Sequence, residues 1–233
     1  MAAVVQRRTP GPGTIRLMTQ LFRRRATRLF RAGLLAIPLA ALAAAWLAYA
    51  LPRSDYAWGV GQPAPQPVPF SHDHHVGGLG IQCRYCHTSV ERAAFAGMPP
   101  AETCMGCHAE VWSAAAVLAP IESSVAFGEP VLWQSVHRLP EFTYFHHGIH
   151  VAKGVGCETC HGRVDLMRQT VKAETLSMGW CLDCHRNPEP YLRPADAIYA
   201  MGWAPSGDAP AADLTEHYGI AVGQLTDCSV CHR

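Results

Sequence analysis

Hydrophobic and polar positions divide the chain into one long apolar segment near the N-terminus and a longer mixed part after it. Residues 32–51 contain no charged side chain. At about 1.5 Å per residue, a helix of this length spans roughly 30 Å, the thickness of the hydrocarbon core of a membrane. The pattern predicts one transmembrane helix, which Pro38 can kink without preventing it from spanning.

The residues that precede this segment are strongly basic. Residues 1–31 hold eight arginines and no acidic residue. By the positive-inside rule, this basic arm stays in the cytoplasm and residues 52–233 lie on the periplasmic side of a bacterial inner membrane. A cleaved signal peptide is the alternative, because Ala48-Tyr49-Ala50 fits a small-residue cleavage site. We expect an uncleaved anchor, since both the basic region and the apolar run are long for a signal peptide.

The exported part contains an internal repeat behind a proline-rich stretch. Prolines at alternate positions in residues 52–69 predict an extended, polyproline-like tether that lifts the rest of the chain off the membrane. Residues 70–76 and 145–151 then share the pattern F-x-H-x-x-H-V, and each copy precedes two CxxCH motifs. The repeat predicts two modules, at about residues 70–120 (the first module) and 142–193 (the second module), followed by a C-terminal segment.

All ten cysteines fall in five copies of CxxCH, at residues 83–87, 104–108, 157–161, 181–185 and 228–232. CxxCH is the attachment signature of c-type haem, in which the two thiols form thioethers and the histidine becomes the proximal iron ligand. Zinc sites draw four ligands from two CxxC pairs and need no histidine after each pair, and a thioredoxin-like motif would occur once. The sequence therefore predicts five c-type haems.

The predicted ligands follow directly from these motifs. The attachment residues are Cys83, Cys86, Cys104, Cys107, Cys157, Cys160, Cys181, Cys184, Cys228 and Cys231. The proximal iron ligands are His87, His108, His161, His185 and His232.

Eight histidines remain for the distal side of the irons. The repeated pairs His72/His75 and His147/His150 are predicted distal ligands of four haems, because a three-residue spacing puts both rings on one face of a helical turn. His74 and His146 are expected to be bystanders. For the fifth iron, His137 is the first candidate, and Met178, Met98 and His217 are the alternatives. Irons with two protein ligands carry electrons and have no position for a substrate.

Composition limits the fold and the partners. With 20 glycines, 18 prolines and 16% charged residues, the chain favours turns and short helices over a sheet. We expect a mostly helical and irregular multihaem cytochrome c in which haems replace much of the usual core, with a short helix at residues 111–120. The net charge of +1 leaves −7 on residues 32–233. An acidic exported part suits a basic electron carrier and argues against nucleic acid.

The F-x-H-x-x-H repeats with paired CxxCH motifs resemble the multihaem cytochromes of the c7 and c3 type, in which the two histidines ligate different haems. Over about residues 30–233 the chain is also similar to the pentahaem, membrane-anchored cytochrome subunit of alternative complex III. The similar stretches include residues 98–104, 177–181 and 137–145.

The second resemblance implies an electron-transfer subunit of a quinol:electron-acceptor oxidoreductase. Other subunits would oxidise quinol and bind iron–sulfur clusters, and this chain would pass electrons to a soluble cytochrome c, a similar carrier or a terminal oxidase. A self-sufficient quinol dehydrogenase that feeds a periplasmic reductase is the alternative. A reductase with one open iron is a further possibility, which the surplus of histidines disfavours.

Overall fold

The computed structural model describes residues 23–205 and 211–232, so most of the predicted basic arm, residues 1–22, lies outside the described residues. The chain divides after Ala50 into two compact units. The first unit contains helix α1, Arg24–Ala50. The helices of the second unit are α2 (Cys83–Cys86), α3 (Ala101–His108), α4 (Ala119–Phe127), α5 (His147–Ala152), α6 (Cys157–His161), α7 (Met178–Arg186), α8 (Ala211–His217) and α9 (Cys228–Cys231).

Helix α1 is mostly apolar, and none of its residues is buried. Its 27 residues give a rise of about 40 Å, and Pro38 lies inside it. The helix begins eight residues before the uncharged run, so its first turns carry arginines. Among the described residues it is the one helix long and apolar enough to cross a membrane, a test that a signal sequence near an N-terminus would also meet. The helix is consistent with membrane anchoring.

The second unit consists of short helices joined by irregular chain. In residues 51–205 and 211–232, strand pairing is limited to isolated bridges. Two of these bridges, Val60 with Lys172 and Pro63 with Val171, involve the proline-rich stretch that was predicted to be a tether. Gln66 also exchanges hydrogen bonds with the backbone of Gln134. The stretch is therefore packed along the second unit.

The polypeptide has a small side-chain core. Ile121, with 2% of its surface exposed, is the centre of one cluster with Val68 and Ala101. No large side chain among the described residues is fully buried. The chain thus buries little apolar surface of its own, and a group of large apolar area would have room to contribute.

The prediction of a short helix at residues 111–120 is wrong. Trp112 adopts a left-handed conformation with φ of 62°, which interrupts the helical path after α3. The next α-helix starts only at Ala119, and Pro120 occupies its first turn. Proline fits that position because its missing N–H would have no partner there.

The two predicted modules are joined by backbone hydrogen bonds. In the second module, the backbone N–H groups of His147 and Gly148 donate to the carbonyls of Ala94 and Ala93 in the first module. A side chain at Gly148 would approach the Glu91 carbonyl oxygen to 2.7 Å, so this contact requires glycine. In the opposite direction, the first module is held by residues 165–170: the Asp73 N–H donates to the Met167 carbonyl. Each F-x-H-x-x-H segment is therefore held by the other module.

A buried ion pair offers a test of this packing. Arg193 has 9% of its side chain exposed, pairs with Glu158 at 3.1 Å and donates to the Ala200 carbonyl at 2.7 Å. We expect Arg193→Ala to reduce the free energy of unfolding by about 2–3 kcal/mol, because it leaves buried partners unsatisfied. Thermal unfolding of the haem-loaded protein measures the loss. Arg84→Ala is the control, since its pair with Glu91 is about half exposed and should contribute about 1 kcal/mol or less. Equal losses in the two variants would contradict the expectation.

Candidate haem sites

Each CxxCH motif forms a helical turn. Helices α2, α6 and α9 each begin at the first cysteine of a motif, whereas α3 and α7 contain theirs further along. The backbone N–H of His87 donates to the Cys83 carbonyl at 2.9 Å, and the backbone N–H of His232 donates to the Cys228 carbonyl at the same distance. Residues three apart on a helix share a face, so each turn presents its two thiols on one side with the histidine next to them.

The phenylalanine of each F-x-H-x-x-H segment orients both histidines. Phe70 stacks on His75 with ring centres 4.4 Å apart and meets His72 edge-on at 4.8 Å. The second copy repeats this arrangement, with Phe145 stacked on one histidine at 4.5 Å and edge-on to the other at 4.7 Å. Aromatic contacts of these two kinds are both favourable, which gives the conserved spacing of the repeat a physical role within this chain.

Three predicted distal histidines face predicted proximal histidines across equal gaps. The ring centres are 6.2 Å apart in each pair, and the pairs are His75 with His108, His147 with His161, and His150 with His185. The His147 and His161 rings are nearly parallel, at 7°. The second histidine of each repeat thus faces the second motif of its module. For His72, the fourth predicted distal ligand, burial lowers the pKa and His87 is one of the neighbours that add to the effect.

The gap fits an iron between the two rings. With about 2 Å from iron to each ligating nitrogen and about 1 Å from that nitrogen to the ring centre, opposite ligands have ring centres about 6 Å apart. The measured 6.2 Å agrees. Within the described residues, no three His, Cys, Asp or Glu side chains converge as a bare metal ion would require. The arrangement therefore suits a planar iron cofactor between paired histidines better than zinc.

Hydrogen bonds at Nδ1 leave the other ring nitrogen free for a metal. Four predicted proximal histidines hydrogen-bond through Nδ1 to backbone carbonyls. These bonds are His87 to Gly97 at 2.7 Å, His108 to Val111 at 3.0 Å, His185 to Leu225 at 3.0 Å and His232 to Phe142 at 3.1 Å. Because a carbonyl only accepts, Nδ1 carries the proton in each ring and Nε2 keeps its lone pair. Metal-binding histidines usually donate the N–H of their second ring nitrogen to a carbonyl, a carboxylate or water.

The predicted distal histidines use Nδ1 in the same way. Three of them meet backbone carbonyls, and the fourth meets a hydroxyl. The contacts are His75 to Ser71 at 2.8 Å, His147 to Ala94 at 2.7 Å, His150 to His146 at 2.9 Å and His72 to Thr170 Oγ1 at 2.9 Å. Burial lowers the pKa of His72 to about 4, and it also lowers the pKa values of His147 and His150. The neutral ring that results is the form that binds a metal.

Cysteines of different motifs lie near enough to one another to affect each other's pKa. Interaction with the Cys157 side chain lowers the pKa of Cys83 to about 7, so the third motif lies beside the first. Burial raises the pKa of Cys86, and neighbouring Cys104 of the second motif adds to the effect.

The remaining connections run toward the C-terminus. Burial raises the pKa of Cys160 to about 12, with further contributions from Cys184 and Cys181 of the fourth motif. Burial also raises the pKa of Cys181, and Cys231 of the fifth motif adds to the effect. The CxxCH motifs therefore neighbour one another in the order second, first, third, fourth and fifth, which differs from their order in the sequence.

The candidates for the fifth distal ligand are scattered. The Nε2 of His137 lies 3.3 Å from Nδ1 of His161, so the geometry brings His137 to the third motif. Burial lowers the pKa of His137 to about 4 and that of His161 to about 3. Met178 is 63% exposed at the start of α7, Met98 is 48% exposed, and His217 stacks edge-on with its neighbour Tyr218. The assignment of His137 to the fifth iron stays a prediction, and its contacts favour another role.

Sequence reasoning missed the groups that hold the rings. The acceptors at Gly97, Val111, Leu225 and Phe142 are main-chain carbonyls, which leave no signal in a sequence. Thr170 lies 98 residues from His72, and no motif connects the two. Of the two predicted bystanders, His146 caps helix α5 by accepting from the Ile149 N–H.

Comparison with known proteins gives two matches. Residues 143–233 match the family described as cytochrome c7 and related cytochrome c. The chain is 34% identical over 97 residues to the menaquinone reductase multiheme cytochrome c subunit of Nitratidesulfovibrio vulgaris, a match that covers 41% of this chain and 45% of that protein. The matched part thus spans less than half of the relative's length. Together with the paired histidines, the matches show that the chain carries a c7-like multihaem cytochrome c domain, mostly helical and irregular, in addition to one N-terminal apolar helix.

Proposed function

We propose that this chain is the electron-transfer subunit of a membrane quinol:electron-acceptor oxidoreductase and that it carries electrons through five covalently bound c-type haems. The observation that carries the proposal is the set of three histidine pairs with ring centres 6.2 Å apart. An iron held from both sides exchanges electrons and offers no position for a substrate. The chain is then a conductor, and the chemistry of quinol belongs to its partners.

The polypeptide supplies attachment, ligation and orientation. When bound, each haem supplies one-electron exchange between ferric and ferrous iron. The cysteines of the five motifs hold the porphyrins, and the proximal and distal histidines hold the irons from opposite sides. The Nδ1 hydrogen bonds fix the ring orientations and increase the electron density of the ligands. Both effects are ways in which a protein tunes such a group.

The order of the motifs supports a single route. Electrostatic interactions between cysteine side chains relate the second motif to the first, the first to the third, the third to the fourth and the fourth to the fifth. We propose that the haems follow the same order. The second and fifth haems are then the two ends of the route, where electrons enter and leave.

The membrane and the partners follow from helix α1 and from the relative. We propose an uncleaved, single-pass anchor with a cytoplasmic N-terminus and a periplasmic haem domain, as the arginine distribution favours. The partners are iron–sulfur and quinol-oxidising subunits of a complex like alternative complex III, and a soluble cytochrome c or a terminal oxidase receives the electrons. The relative is named for menaquinone reduction, the opposite direction. A chain of haems conducts both ways, so the potentials of the partners set the direction.

Haem counting and carbon monoxide binding test the proposal. The purified full-length chain should contain five haems by pyridine haemochrome assay, and its spectra should show low-spin iron that does not bind carbon monoxide. Both results follow if every attachment motif is loaded and every iron has two protein ligands. Fewer than five haems, or ready binding of carbon monoxide to most of them, would refute the proposal.

Purification distinguishes the complex from the alternative of a self-sufficient quinol dehydrogenase. We expect the chain to purify from membranes with other subunits that contain iron–sulfur clusters, and the isolated chain to accept no electrons from a short-chain menaquinol. Reduction of the isolated, haem-loaded chain by menaquinol would favour the alternative. The proline-rich stretch packed along the second unit supplies no cluster of histidine or acidic side chains that would serve as a quinol site.

A further inference from the structure

His137 contacts His161, which is one of the predicted proximal iron ligands. Unlike the other four, His161 hydrogen-bonds through Nδ1 to a side chain. Its Nε2 lies 3.3 Å from Nδ1 of His161, and the two rings meet edge-on at 79° with centres 4.4 Å apart. The opposite face of the third site is already taken, because His147 lies parallel to His161 at 6.2 Å. His137 therefore approaches the side of His161 that points away from the iron position.

The hydrogen bond has a defined direction. An imidazole that binds iron through Nε2 keeps its proton on Nδ1. His161 is then the donor, and His137 accepts at Nε2. His137 is half-buried. Its backbone carbonyl accepts a hydrogen bond from Ser135 Oγ at 3.1 Å, which helps to fix the segment.

The acceptor distinguishes the third site from the other four. The proximal candidates His87, His108, His185 and His232 all donate to backbone carbonyls. An imidazole nitrogen is more basic than an amide carbonyl, so it draws the Nδ1 proton more strongly and makes the ligand richer in electrons. An electron-rich ligand favours ferric iron, which lowers the reduction potential.

We propose that His137 is a positioning residue for the third haem, which fixes the tautomer and orientation of His161 and lowers the reduction potential of the iron that His161 ligates. The proposal rests on the proposed ligation of haem by His161. It replaces the expectation that His137 is the distal ligand of the fifth iron and leaves that position to the alternatives Met178, Met98 and His217. Since the acceptor is a side chain, it can be removed by substitution, which is impossible for the four carbonyls.

Two substitutions in the full-length, haem-loaded chain separate hydrogen bonding from packing. His137→Phe keeps a ring but removes the acceptor, and His137→Gln retains an acceptor on a smaller side chain. Redox titration followed by optical spectroscopy gives the midpoint potentials, and electron paramagnetic resonance of the oxidised protein gives the spin states. We expect His137→Phe to shift one midpoint to higher potential with all haems low-spin, and His137→Gln to return that midpoint toward the wild-type value.

Several outcomes would overturn the proposal. A high-spin, carbon monoxide-binding haem in His137→Phe would identify His137 as an iron ligand. Unchanged midpoints would remove His137 from any role, and equal shifts in the two variants would assign it to packing alone. If His137→Phe loses haem, His137→Gln decides: one midpoint at higher potential with all haems low-spin supports the proposal, because an amide oxygen is a weaker acceptor than imidazole, and unchanged midpoints contradict it. A wild-type chain without five haems would instead refute the proposed function.

Discussion

Replacing His147 or His150 by alanine is expected to convert one low-spin haem to high-spin and to let that haem bind carbon monoxide. Each ring faces a proximal candidate at 6.2 Å, across the gap that an iron between two imidazoles requires. Alanine removes one of the two ligands and leaves an open position. Electron paramagnetic resonance and carbon monoxide difference spectra measure both changes.

The expected change is confined to one haem because the proximal side is held independently. His161 remains oriented by His137, and His185 remains bonded to the Leu225 carbonyl. Attachment through the cysteines does not involve the distal ring either, so the haem count should stay at the wild-type value. Electron throughput should fall, since an iron that gains or loses a ligand with its oxidation state reorganises at each transfer.

His146→Asn is the matched control for these two variants. His146 precedes His147 directly, but its ring accepts from the Ile149 N–H and caps helix α5. Asparagine is a good N-cap residue and keeps an acceptor at this position. We expect the control to leave every haem low-spin. Unchanged spectra in His147→Ala and His150→Ala would remove both residues from the set of ligands, and a high-spin haem in the control would invalidate the assignment by repeat.

Removal of the third attachment motif is expected to divide the route into two parts that exchange electrons slowly. The change is Cys157→Ala with Cys160→Ala, which prevents attachment of the third haem. In the proposed order, this haem joins the pair formed by the second and first haems to the pair formed by the fourth and fifth. Without it, electrons must tunnel across a longer gap, and the rate of tunnelling falls steeply with distance.

The control removes one haem from the end of the route. Cys228→Ala with Cys231→Ala deletes the fifth haem and leaves four in an unbroken series. Rapid mixing with a reductant and optical detection should show one coherent reduction in the control and two separate phases in the third-motif variant. Identical kinetics in the two variants would contradict the order. The haem count of each variant, measured first, confirms that four haems remain.

The sequence was sufficient for the chemistry that local spacing encodes. CxxCH and F-x-H-x-x-H place their side chains within one or two helical turns, so the local positions of Cys157 or His150 could be predicted from the pattern alone, and their roles stay predictions. The proximal histidine that faces each distal histidine could not be predicted, because this pairing depends on how distant segments of the chain meet. The Phe142 carbonyl that holds His232, for example, lies 90 residues away in the chain.

His137 shows the limit of reasoning by elimination. A fifth iron needed a ligand, and a histidine ahead of the second module was an economical candidate. Its actual neighbour, His161, is 24 residues away and belongs to a different motif. The helix expected at residues 111–120 failed for a related reason, because alanine-rich composition indicates helix while the backbone at Trp112 turns away from it.

The mutual clamp between the two modules has a consequence for how the protein is made. Thr170, which holds His72, is synthesised 98 residues after it, and His147 is synthesised 53 residues after the Ala94 carbonyl that holds it. A chain that emerges from the export channel N-terminus first therefore exposes its earliest ligands with nothing to hold them. We expect these contacts, and with them the final positions of the ligands, to form only after the second half of the chain has arrived.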